Sequence, residues 1–253
     1  FGDGGADNVG LTRALLSLLT DAPAAANRGG NTTFNSTGAP TVTTTTFQTY
    51  NDAVVLAKDT VLTSTLGGDV TFSSTVTGGF NLGVNTAGAT RFGNASGFAA
   101  GGVFASVTSG QVNVASVTTD APGTVGFAIA GGATGTPSVT TTADRPAWLT
   151  SAVATTGVQT YNDAALLGLN TFLTSSTALG HITFNSTVDT HAAAATFRSL
   201  EVNTGANTFF GDGGADNVGL TRALLSLTTD DNAAVANGIA AGQERTVFNI
   251  LGG

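Results

Sequence analysis

Cysteine and methionine are absent from this 253-residue chain, and lysine occurs once, at Lys58. Without cysteine there are no disulfides and no thiolate metal sites. Charge is scarce: 9% of residues are charged, against about 25% in ordinary soluble domains. The seven arginines, Arg13, Arg28, Arg91, Arg145, Arg198, Arg222 and Arg245, stand singly, and the net charge is −8. Nucleic acid requires clustered cations to meet its phosphates, so it is excluded as a partner. No apolar run approaches the ~18 residues needed to cross a bilayer, so membrane insertion is not expected. Trp148 is the lone tryptophan, Tyr50 and Tyr161 the only tyrosines. A sugar-binding groove lined with aromatics is therefore poorly supplied.

What remains is Gly, Ala, Thr, Ser, Asn and Val. Thr and Val suit strands because branching at Cβ fits a pleated surface. Gly and Asn suit turns because they tolerate positive φ. Short stretches alternate apolar and polar residues: Val70, Phe72 and Val76; Leu82 and Val84; Ile182, Phe184 and Val188; Leu200 and Val202. That period of two marks strands with one buried face. The expected strands are five to eight residues long, separated by Gly-rich turns. Leucine spacing in 11–21 is close to helical. The counterpart at 114–120 is strand-like, however, and strand is expected for both. The Ala-rich stretch 231–246 is open between helix and strand.

Internal repetition is the strongest signal. Residues 1–21 and 210–230 differ only at Leu19 versus Thr228. QTYNDAVVLAKDTVLTST (48–65) returns as QTYNDAALLGLNTFLTSS (159–176), and NLGVNTAGATRFG (81–93) as SLEVNTGANTFFG (199–211). The units are read as 1–91, 92–209 with an insertion near 137–158, and a truncated 210–253, all stacked in one solenoid. A repeat that cannot bury its face alone gains a core by stacking. The expected fold is an all-β parallel β-helix of stacked coils; tandem β-sandwich modules are the alternative. At ~20 residues per coil the chain would make about a dozen coils and a rod on the order of 60 Å. Neither end carries a charged or proline-rich cap, so the chain is read as a piece of something longer. It either continues or stacks end to end on copies of itself.

The blocks QTYNDA, LTSS, ITFNSTVD, LEVNTGANTFFG and SLTTD (226–230) resemble the repeats of giant bacterial β-strand-repeat surface proteins. These are similar to filamentous-haemagglutinin-type adhesins and autotransporter passengers. The resemblance implies a secreted or cell-surface β-solenoid with no shared catalytic residues. Its expected role is non-enzymatic, an adhesin stalk or matrix rod. The alternatives are a self-assembling filament, sheath or surface-layer subunit, and a carbohydrate-binding solenoid that meets surface glycans.

Candidate sites are few. GDGGADNV at 2–9 and 211–218 resembles one calcium-binding nonapeptide, so Asp3, Asp7, Asp212 and Asp216 are the candidate metal ligands. Such sites need consecutive turns around the ion, and these copies lie far apart. The competing reading is a Gly-rich corner with solvated aspartates. Calcium is thus the sole cofactor considered. Tyr50-Asn51-Asp52 and Tyr161-Asn162-Asp163 read as corners, with Asn-Asp capping its own backbone and Tyr covering the adjacent strand. His181 and His191 have no cysteine beside them, and His181 should face solvent if Ile182 faces in. Asp230-Asp231 is the only adjacent acidic pair, and no G-x-S-x-G is present. Asn31, Asn35, Asn94 and Asn185 stand in N-x-S/T sequons.

Overall fold

The computed structural model describes residues 1–20, 30–93, 111–129, 152–229 and 244–250. Every strand pairing among them is parallel, and three sheets form. The first face holds seven strands, from Leu18–Thr20 to Val188–Thr190. The second holds eight, from Asn31–Phe34 to Ser226–Thr229, and the third eight, from Val42–Thr44 to Thr246–Phe248. As far as Thr208–Phe210 the chain visits first, second and third face in turn, one strand on each, then climbs to the next coil; in the last coil the first face carries only the Val218 bridge to Val188. This is a parallel β-solenoid, as the period-two pattern and the repeats predict, and no helix occurs among the described residues.

Two expectations need correction. The strands run two to six residues, shorter than five to eight, because each face of a coil is narrow. The stack also has about eight coils rather than a dozen, hence a height of about 35 Å at ~4.8 Å per layer. Compact coils do advance by the expected amount: Val42 pairs with Leu62, and Leu62 with Val84. Residues are spent instead on long connections. Those at 21–30, 94–111, 129–152 and 191–198 all join the first face to the second, and 230–245 joins the second to the third. The stretch 11–21 is non-helical where described: Leu15 bridges Thr44, and Leu18–Thr20 is a strand. Of 231–246, Thr246 opens a strand, and 231–243 lie outside the described residues, as do Trp148, Asn94 and the Asp230-Asp231 pair.

Aromatic rings fill the centre, one every two or three strands. Phe1, Phe34, Tyr50, Phe72, Phe92, Phe127, Tyr161, Phe184, Phe210 and Phe248 form a continuous column with centroids 5.1–6.2 Å apart. Phe1 and Phe34 lie at the second face, Tyr50 to Phe127 on the first, and Tyr161 to Phe248 on the third. The rings stack where they share a face. Where the column crosses faces, at Phe34–Tyr50 and Phe127–Tyr161, they meet edge-on at 80° and 88°. Smaller residues fill the same layers from the other faces, among them Val76, Val84, Val112 and Val117, all buried.

The sequence copies do not sit above one another. Gln48–Tyr50 belongs to the first face and its copy Gln159–Tyr161 to the third; Thr60–Ser64 is on the third and Thr171–Ser175 on the second. The copies are eleven strands apart, and eleven is not a multiple of three. Each copy is therefore turned by one face about the axis.

Candidate functional site

Polar groups buried at the corners are served by short, repeated devices. At the third-to-first corner, Thr44 Oγ1 and Ser64 Oγ both donate to the Thr46 carbonyl at 2.7 Å, and Thr86 Oγ1 donates to the Gly68 carbonyl at 2.7 Å. The rotated copy repeats this with Thr155 and Ser175 on Gly157, at 2.6 and 2.7 Å. Gln48 is wholly buried yet satisfied: its Nε2 donates to Thr44 Oγ1 and the Thr63 carbonyl, and its Oε1 accepts from the Tyr50 hydroxyl at 2.8 Å. Gln159 and Tyr161 reproduce the network. Tyr50 and Tyr161 therefore do more than cover a strand: each is a central ring of the core with its hydroxyl held inside. Burial pushes both phenols far above the ordinary value. Period-two patterning missed Gln48 and Gln159, because a glutamine beside Phe47 or Val158 carries no apolar signal of its own and points to the opposite register.

The Asn-Asp corners follow the same scheme, with one difference. Asn51 Nδ2 donates to the Thr20 carbonyl and Asn162 Nδ2 to the Thr119 carbonyl. Asp52 accepts from Thr20 Oγ1 at 2.5 Å and from Thr32 Oγ1 at 2.8 and 3.0 Å. Asp163 is its copy. In the register, Thr32 lies beside Val54, and the copy of Val54, Ala165, lies beside Val125. The second hydroxyl is thus replaced by an isopropyl group. Asp163 is 1% exposed, and neither carboxylate oxygen makes a hydrogen bond of good geometry; the buried Thr119 hydroxyl is likewise unsatisfied. Burial raises Asp163 to about 7, with the Asp120 charge adding to the shift and the nearby Thr119 hydroxyl offsetting part of it.

The Gly/Asp blocks are built as self-capped loops. Asp3 Oδ1 accepts from Gly5 N and Asp7 Oδ2 from Asp3 N, both at 3.2 Å. Asp212 and Asp216 repeat the pattern at 3.0 and 3.1 Å. The Gly5 amide, then Asp7, hold the Asp3 carboxyl below its ordinary value. Gly2 and Gly211 have φ of 83°, and a Cβ there would meet the Asn35 and Asn249 carbonyls at 2.6 and 2.5 Å. The two loops sit at opposite ends of the stack. Among the described residues, no three His, Asp or Glu side chains gather into a metal-binding group.

His181 and His191 stand on different corners. His181 Nδ1 accepts from Asn207 N, and Ile182 beside it points inward; His191 Nδ1 accepts from Ala193 N. Burial, then Arg91 and Arg222, lower His191 below the ordinary imidazole value. Arg222 packs 5.8 Å over Phe197 and donates to the carbonyls of His191, Ala192 and Ala194, which pins the connection 191–198. Of the sequons, Asn31 is exposed and Asn185 donates to Asn162 Oδ1.

Fold and corners together define a parallel β-solenoid whose polar chemistry serves mainly to close its own coils. Comparison with family models, with curated proteins and with solved structures finds no match to this chain.

Proposed function

We propose that this chain is a non-enzymatic structural segment of an extracellular or cell-surface β-solenoid, a stalk or matrix rod. The observation that carries the reading is the unbroken aromatic column inside three parallel sheets. Such a core extends by adding coils, without redesign, because each added coil contributes about one ring and three short strands. Few charges leave little to titrate or screen, and backbone pairing in every layer resists shear and proteolysis. Labelling the native protein on intact cells and imaging it by electron microscopy tests the proposal. Slender rods projecting from the surface are expected; a diffuse intracellular protein would sink it.

A second reading, self-assembly through coil ends, is favoured by the ends of the column. Phe1 is 39% exposed and Phe248 56%, while the eight rings between them are buried. A further coil of the same kind would cover each, whether it belongs to a longer chain or to another copy. Contact between unlike ends is heterologous and propagates as a filament. Sedimentation of the 253-residue chain across a hundredfold concentration range should then show growing linear species; one concentration-independent monomer removes this reading.

A further inference from the structure

Asp163 poses a problem that its copy does not. The carboxylate is enclosed at a corner that also holds the Asp120 carboxylate, the Thr119 hydroxyl and the Thr86 and Gly88 carbonyls. The virtual Cβ position of Gly123 lies 2.7 Å from Asp163 Oδ1, 2.5 Å from the Gly88 carbonyl oxygen and 2.9 Å from the Thr86 carbonyl oxygen. The Thr86 and Gly88 carbonyls of one coil and Asp163 Oδ1 two coils on therefore close on the intervening coil at Gly123. A methyl at 123 would strike all three, so glycine is what lets these oxygens approach so closely. The unsatisfied Thr119 hydroxyl is buried in the same corner. Asp120, the next residue, adds a second carboxylate, one oxygen of which accepts from Thr86 N at 2.7 Å. Two carboxylates, a hydroxyl and two carbonyls have no cation opposite them. The one ion pair among the described residues, Arg91 with Asp69, borders this corner a coil below, where Asp69 Oδ1 accepts from Ala89 N, and it includes neither Asp120 nor Asp163.

We propose that this corner, formed by residues 86–88, 119–123 and 162–163, is a calcium site, with Asp163 and Asp120 as charged ligands and the Thr119 hydroxyl and the Thr86 and Gly88 carbonyls as neutral ones. Hard, all-oxygen donors of mixed type suit calcium, which accepts six to eight oxygens in irregular geometry. Magnesium demands a near-ideal octahedron and keeps its waters. A buried carboxylate without donors or a counter-ion is costly, and a bound cation removes that cost. The first copy shows the alternative: there Thr20 and Thr32 supply hydroxyls to Asp52, and no ion is needed. The exchange of Thr32 for Val125 converts a hydroxyl-satisfied corner into a cation corner. The site differs from the Gly/Asp loops, whose carboxylates are occupied by their own backbone amides. It ties three coils together and does not depend on where the rod is displayed.

Titration calorimetry of the EDTA-stripped full chain with calcium chloride, paired with thermal melting, tests this. One calcium per chain and a higher Tm are expected. Asp163→Asn, which keeps the side-chain shape, should abolish binding and leave circular dichroism unchanged. Val125→Thr should weaken binding at least tenfold by supplying the missing hydroxyl. A chain carrying Asp3→Asn and Asp212→Asn should bind as before. The proposal fails if millimolar calcium gives neither heat nor a Tm shift, or if Asp163→Asn still binds. It fails equally if binding is lost with Asp3→Asn and Asp212→Asn, which would place the ion in the Gly/Asp loops. Should Asp163→Asn not fold, Val125→Thr and Asp120→Asn give the same reading.

Discussion

At Asp163 one methyl-for-hydroxyl difference, Val125 against Thr32, sets the state of a carboxylate a strand away. In calcium-free buffer this gives a stability trend with a defined sign. The folded-state value is about 7, above the unfolded value of about 4, so the folded state holds the proton more tightly. That stabilisation is fully present below pH 4 and is lost as pH rises through 7. Unfolding free energies from denaturant titration should fall between pH 5 and pH 8.5 for the wild type, by on the order of 3 kcal/mol at most. Asp163→Asn should flatten the trend; an unchanged slope would assign it to another group. Tyr50 tests the buried amide network. Tyr50→Phe removes the only hydrogen bond to Gln48 Oε1 among the described residues and should cost about 1–3 kcal/mol in urea unfolding.

Strands and corners are the next scale. Each coil presents three strands of two to six residues, too short to be stable without the coils above and below. Stability thus resides in contacts between coils, and the column carries much of it. Phe92, fully buried between Phe72 and Phe127, should cost about 3–5 kcal/mol when changed to Ala, measured by chemical denaturation. Backbone approach is equally tight. Gly78 has φ of 139°, and a Cβ there would lie 2.2 Å from the Leu56 carbonyl oxygen of the preceding coil. Gly78→Ala should cost on the order of 1–3 kcal/mol. Gly79, beside it, has nothing within 4 Å of the corresponding position; Gly79→Ala should change the midpoint little. Most of this scale was legible in the residues: alternation marked the strands, and Gly and Asn marked the corners. Strand length was not, because the narrowness of a face is imposed by the neighbouring coils.

For the whole molecule, the turning of the repeat makes a prediction about length. One further copy of residues 42–152 would add eleven strands, or three and two-thirds coils. The rod should lengthen by about 18 Å at ~4.8 Å per layer, with its cross-section unchanged, by small-angle X-ray scattering. A widened cross-section would show that copies fold as separate modules side by side. The same geometry explains why near-identical loops at 1–9 and 210–218 occupy different faces: Val9 bridges Val42 on the third, and Val218 bridges Val188 on the first. All three faces therefore offer nearly equivalent environments to one sequence.

The residues by themselves determined an all-β chain of short strands, parallel stacking and a Gly-rich corner chemistry, because alternation and turn propensity are local and repetition is visible by inspection. Tertiary structure alone decided which copy faces which, that ten rings align into one column, and that Asp52 is held by two hydroxyls while both oxygens of Asp163 stay unsatisfied. The physical reason is the mismatch between an eleven-strand repeat and a three-faced coil. It gives equal sequences unequal neighbours, and neighbours across coils are not encoded in any one segment.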